Sequence, residues 1–181
     1  MLASAAAIMA VPLFETVEDL ENAASIMEGL LADNIYRAHL ERRQSQQMVM
    51  VGYSDSNKDG GLASARWTLR QAQQELVETM RRMDVKLTIF HGRGGTVSRG
   101  GGRLHEAVMA SPAGAAAGSL RMTEQGEMIN AKYGLRAIAM RSLEQAVSAV
   151  LWVTALEPVP DSSEARWCSI MNGVASTSRD V

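Results

Sequence analysis

The sequence predicts an α/β fold, helix-rich and built from consecutive parallel βα units, and three observations predict it. Short apolar runs alternate with long stretches whose apolar residues recur at three- and four-residue steps, in the order strand, helix, strand, helix, strand. Glu15, Asp55 and His91 each follow one of the short runs, and in parallel α/β folds reactive groups collect where strands end. The 181 residues, 46% hydrophobic and 21% charged, suffice for one compact domain with a core.

The elements follow in order. Ala10 to Phe14 reads as a strand, with Pro12 limiting its regularity. Thr16 and Asp19 supply a capping box, and Val17, Leu20, Ala24, Met27 and Leu31 then mark a helix face. Met48 to Val51 reads as a short buried strand ending in the polar turn from Gly52 to Gly61. Leu62, Ala65, Leu69, Ala72, Leu76, Met80 and Met83 share one side of a long helix. Lys86 to Phe90 is the next strand. A short helix and the small-residue stretch Ala110 to Ala117 lead to a strand near Ser119-Leu120-Arg121. Residues from about Leu135 to Leu156 are helical, Glu157 to Pro160 break that helix, and Asp161 to Glu164 cap a last one.

Composition narrows the functions. A net charge of −2 supplies no global field toward nucleic acid or anionic membrane, so any anion site must be a local cluster. Cys168 is the only cysteine, which excludes internal disulfides and cysteine-based metal sites and fits a reducing compartment. The apolar start carries no Lys or Arg before its apolar run and meets acidic residues at once, so a buried strand is expected there in place of a cleaved leader. No stretch is apolar and long enough to span a bilayer. The 12 methionines read as core packing.

Three segments carry chemistry. Asp55-Ser56-Asn57-Lys58-Asp59-Gly60 opens like a calcium-binding EF-hand loop, but the twelfth position is Arg66 where a bidentate Glu belongs, and a strand precedes it. A plain polar turn is one reading. Lys58 beside Asp55 at a strand end suits an anionic substrate held with a divalent metal. Glu15 and Asp55 are candidate ligands, since Mg²⁺ takes one or two protein carboxylates and fills its shell with substrate and water. Glu15 equally fits a negative charge placed ahead of a helix N-terminus.

The segment from His91 to Arg103 has six glycines and three arginines in thirteen residues. Glycines let backbone N–H groups approach an oxyanion, and arginines add bidentate donors. No Gly-Lys-Ser/Thr follows, so it is not a Walker A loop. It shares composition with RNA-binding glycine-arginine tracts, but those repeat and this occurs once, after a strand. Nearby arginines favour the neutral form of His91, which then polarises a substrate or exchanges a proton. His39 and His105 have no such setting. Thr123 to Glu127 reads as polar groups at the same mouth or as an acidic helix start.

Val49 to Gly61 resembles the lysine signature of phosphoenolpyruvate carboxylase, and Phe90 to Gly102 resembles its glycine-arginine loop. Pro12-Leu13-Phe14-Glu15-Thr16 and Leu120 to Glu127 are similar to two further family segments, in order. The resemblance covers about residues 10–157, leaving 158–181 as a helical tail. It implies one partial domain over residues 1–181, part of a (β/α)₈ TIM-type barrel. It also implies carboxylation of phosphoenolpyruvate by bicarbonate to oxaloacetate and phosphate, an anaplerotic carbon fixation with Mg²⁺ or Mn²⁺, in a cytoplasmic homotetramer without nucleic-acid or membrane partners.

By the same resemblance, Glu15 and Asp55 are the metal ligands. Lys58 is a catalytic lysine near bicarbonate, and His91, Arg93 and Arg99 are the active-site histidine and arginines. Gly92, Gly94 and Gly95 join Arg93 and Arg99 in the phosphate loop. Ser98 and Arg103 depart from the family's usual glycine and proline. The family enzyme is several-fold longer, and its Thr-Ala-His-Pro-Thr segment has no counterpart in these residues, so the chain alone is expected to be inactive. Two alternatives are a non-catalytic remnant that binds full-length carboxylase subunits and an RNA binder using the glycine-arginine loop.

Overall fold

A computed structural model describes residues 8–93, 103–155 and 162–179, with the backbone alone at 54–60, 127 and 179. Four strands form one parallel sheet in sequence order: β1 (Leu13–Phe14), β2 (Gln46–Gly52), β3 (Lys86–Gly92) and β4 (Arg121–Met122). Each pair is parallel, so every connection is a crossover carrying helix: α1 (Val17–Ala32) and α2 (Asn34–Glu41), then α3 (Ser54–Arg82), then α4 (Leu104–Met109). Three helices complete the described chain: α5 (Gly126–Tyr133), α6 (Arg136–Ala155) and α7 (Glu164–Arg179). No helix among the described residues is long and apolar enough to cross a membrane.

Alternation sets the sheet's two faces. Gln47, Val49 and Val51 are buried on β2, as are Ile89 and His91 on β3, and Phe14 on β1. Phe14, Val49, Val51 and Ile89 join Leu20, Met27 and Leu31 of α1 and Leu69, Leu76 and Met80 of α3 in the main core. The opposite face is thinly covered: Leu13 is exposed, and Met48, Met50 and Phe90 are half-buried. A second core joins Val108 of α4, Ala116 and Ala149 of α6. Ala115 packs in the main core and its neighbour Ala116 in the second.

The capping box forms as expected. The Asp19 backbone N–H donates to Thr16 Oγ1 at 3.0 Å, and the Asp19 carboxylate accepts from the N–H groups of Thr16 at 3.0 Å and Glu15 at 3.2 Å. That second bond holds Glu15 at the end of β1. Thr16→Ala should therefore lower thermal stability by about 1 kcal/mol, the usual loss for an N-cap hydroxyl, measurable by denaturant unfolding.

Three differences from the sequence reading stand out. The backbone of 54–60, read as a turn, is helical, and Gly61 (φ 71°, ψ 166°) separates it from the long helix that follows. That conformation is one only glycine adopts readily. Leu62, read as part of the buried face, is exposed directly after this kink. Helix α2, capped by Asp33 accepting from the N–H groups of Ile35 and Tyr36, has no counterpart in the sequence reading, because it is too short for clear periodicity. The helix break expected at Glu157 to Pro160 lies outside the described residues.

Candidate functional site

The strand ends set out the site in register rows. Phe14, Val51, His91 and Met122 form one row, and Glu15, Gly52, Gly92 and Thr123 follow one residue later. The Thr123 N–H donates to the His91 carbonyl at 2.9 Å, which extends the ladder into this second row. Glu15 and Gly52 meet closely. A Cβ added at Gly52 would lie 2.9 Å from Glu15 Cγ and 3.1 Å from its Cα, and one at Gly92 would lie 2.9 Å from Met50 Cε. Glycine at 52 leaves room for the Glu15 side chain, and glycine at 92 leaves room for the Met50 side chain beside it.

Glu15 is exposed, and among the described residues nothing engages its carboxylate. A single open carboxylate at a glycine-lined rim fits the hard-oxygen needs of Mg²⁺ or Mn²⁺, which draw few ligands from protein. No group of three or more His, Cys, Asp or Glu among the described residues forms a denser metal cluster. The side chains of Asp55 and Lys58, and the whole of Gly94, Gly95 and Arg99, lie outside the described residues.

His91 occupies a different place from Glu15. It belongs to the strand itself, one row earlier, with its side chain on the core side of the sheet and only 6% exposed. Its Nδ1 lies 2.7 Å from the Tyr53 hydroxyl, and the two rings are tilted with centroids 6.0 Å apart. Arg93, 7% exposed, sets its guanidinium carbon 5.7 Å above the Tyr53 ring, within cation–π reach. These three residues line a cavity of about 10 Å³ together with Leu104, Ala107 and Val108 of α4, room for about one water. So the expectation of three equivalent strand-end groups becomes two settings. Glu15 is at an open rim, His91 and Arg93 are under α4, and the backbone of Asp55 stands in the helical run beyond β2.

Burial governs the charges here. It lowers the His91 pKa to about 4, with the Arg93 guanidinium as the second cause. Burial raises the Tyr53 phenol to about 12 against the opposing pull of Arg93 and Arg66. The Arg93 pKa is lowered by burial first; Tyr53 and Glu124 oppose that fall and Arg66 adds to it. Glu124, from the segment after β4, is thus electrostatically coupled to this cluster, while it accepts from Lys132 Nζ at 2.9 Å and from Tyr133 at 3.2 Å. Its carboxylate is engaged in an ion pair with Lys132 in the last turn of α5. Beside it lies a polar groove of about 460 Å³ lined by Arg103, Lys132 and Arg141.

The depressed His91 value gives a pH prediction. The unfolded ring binds its proton at the usual 6.5, the folded ring only near 4. Between those values the unfolded state holds more protons, so His91 favours folding fully above pH 6.5 and loses that contribution as pH falls toward 4. Denaturation midpoints across this window should fall with pH, and His91→Gln should flatten the slope.

Tyr53 is the residue that sequence reading passed over. The signal was present: buried positions 47, 49 and 51 continue to 53, which puts Tyr53 on the His91 side of the sheet.

Comparison with known proteins agrees with the motifs. The family model described as phosphoenolpyruvate carboxylase matches residues 2–181. The phosphoenolpyruvate carboxylase of Xanthomonas oryzae pv. oryzae is 53% identical over 168 residues, 93% of this chain and 19% of that protein. Those of Corynebacterium efficiens (49% over 168 residues, 93% of this chain and 18% of theirs) and Shewanella sediminis (49% over 171 residues, 94% and 19%) are also similar. The chain spans about a fifth of the length of the curated relatives it matches.

Proposed function

The chain belongs to the phosphoenolpyruvate carboxylase family, and we propose that it forms one arc of that enzyme's catalytic rim, within a (β/α)₈ barrel that the rest of a longer polypeptide closes. The observation that carries this reading is Glu15 packed against Gly52 at the ends of adjacent parallel strands, with Gly92 next in the same row. Two further features support it. The strands add in sequence order without reversal, as in a barrel. The sheet face away from α1 and α3 is thinly covered, as a barrel interior would be once cut open. Helix α6 exposes Leu143, Val147, Leu151 and Trp152 together, a contiguous apolar face of the kind buried in larger assemblies.

The chemistry crowds negative charge. A bicarbonate oxygen attacks phosphorus, the enol oxygen–phosphorus bond breaks, and carboxyphosphate and the enolate of pyruvate result. Carboxyphosphate then yields CO₂ and phosphate, and the enolate carbon attacks CO₂ to give oxaloacetate. A magnesium or manganese ion held by Glu15 and Asp55 supplies Lewis-acid stabilisation of developing oxyanions. Arg93 contributes a fixed positive charge whose low-dielectric surroundings strengthen it. Lys58 holds bicarbonate, and Arg99 with the backbone of Gly92, Gly94 and Gly95 binds the phosphoryl oxygens. His91 remains neutral and contributes hydrogen bonding.

The test is a hybrid in which this segment replaces the matching 168 residues of the Xanthomonas oryzae carboxylase. Oxaloacetate formation by the hybrid, none by the isolated 181-residue chain, and loss on Glu15→Gln are expected. A folded hybrid with no turnover, or turnover by the isolated chain, contradicts the reading.

A further inference from the structure

We propose that Tyr53 is a positioning residue: its hydroxyl donates to Nδ1 of His91 and fixes that ring as the neutral tautomer protonated at Nε2, while its ring face seats the Arg93 guanidinium. The direction of the bond follows from its chemistry. The hydroxyl oxygen and Nδ1 lie 2.7 Å apart, at hydrogen-bond distance. A phenol is a good donor and a weak acceptor, and the bare imidazole nitrogen is a good acceptor. His91 and Tyr53 are both buried, so water competes poorly for the nitrogen.

Two consequences follow. With Nδ1 occupied, the only proton the ring offers is on Nε2, so His91 acts as a hydrogen-bond donor and not as a base. Tyr53 also links two residues of the glycine-arginine segment to the end of β2. Its hydroxyl holds His91 of β3, and its face carries Arg93 just beyond that strand. A change at Tyr53 therefore disturbs ring tautomer and guanidinium placement together. The catalytic meaning rests on the carboxylase reading, but the tautomer belongs to the chain itself and is measured without turnover.

The experiment is ¹⁵N magic-angle-spinning spectroscopy of the histidine-labelled 181-residue chain at neutral pH, where only His39, His91 and His105 contribute. The expected result is one ring with an unprotonated Nδ1 and a protonated Nε2, correlated with a tyrosine hydroxyl proton. In Tyr53→Phe that ring should lose its single tautomer while the His39 and His105 signals stay in place. A protonated Nδ1 in the wild-type chain overturns the proposal, as does an unchanged His91 tautomer in the variant. Should the variant fail to fold, the wild-type spectrum alone decides.

Discussion

Arg93→Ala, in a carboxylase carrying this segment, should lower kcat/KM by about 10²–10³-fold, the range for removing one preorganised charge or donor at a developing anion. The expectation is large because of where Arg93 sits. It is nearly buried, directly after Gly92, with its guanidinium over the Tyr53 ring. Burial already lowers its pKa, so its charge is held where solvent screens it poorly. Arg93→Lys should recover little, because an ammonium neither stacks flat on a phenol ring nor presents a planar fork to a phosphoryl group. A split of the loss between kcat and KM would distinguish charge felt in the transition state from ground-state binding. A loss below about threefold would remove Arg93 from the reacting charge altogether.

Much of this arrangement was legible in the sequence, and the parts that were not share a cause. The apolar runs before Glu15, Asp55 and Lys58 gave β1 and β2 through composition, and the run from Lys86 gave β3. The three-to-four spacing through Leu69, Leu76 and Met80 gave α3, whose buried face agrees. Linear spacing does not carry register, however. Sequence alone puts Glu15 and His91 at the same kind of place, each following an apolar run. Pairing of Phe14 with Val51 and of Val51 with His91 separates them by one row and therefore by one face of the sheet. One row is enough to turn His91 inward toward Tyr53 and leave Glu15 in the open.

Glycine has a second use besides the one its density from His91 onward predicts, backbone approach to an anion. At Gly52 its role is to make space for a carboxylate on the neighbouring strand, a packing relation that linear sequence does not carry. Helix α2 escaped for a different reason. Its eight residues hold one buried side chain, Leu40, too few to set a period. Its placement depends on tertiary bonds, among them Arg37 donating to the Met83 carbonyl at 2.8 Å and Tyr36 donating to Gln47 at 2.6 Å.

Gly52→Val should destabilise the fold by about 1–3 kcal/mol, the range for overpacking a well-filled position, and should weaken divalent-metal dependence in the hybrid enzyme. The added Cβ would fall 3.1 Å from the Glu15 Cα. That atom is backbone, held in turn by the Asp19 carboxylate on the Glu15 N–H, so it cannot rotate away. The strand ends must separate, and the Glu15 carboxylate moves with them. Gly29→Ala is the control. Gly29 lies inside α1 with nothing within 4 Å of an added Cβ, so the methyl group should raise stability by up to about 1 kcal/mol through helix propensity. Opposite signs at the two glycines, read by denaturant unfolding, would assign the loss at Gly52 to its contact with Glu15. A stable Gly52→Val chain with unaltered metal dependence would mean that Glu15 does not need this approach to do its work.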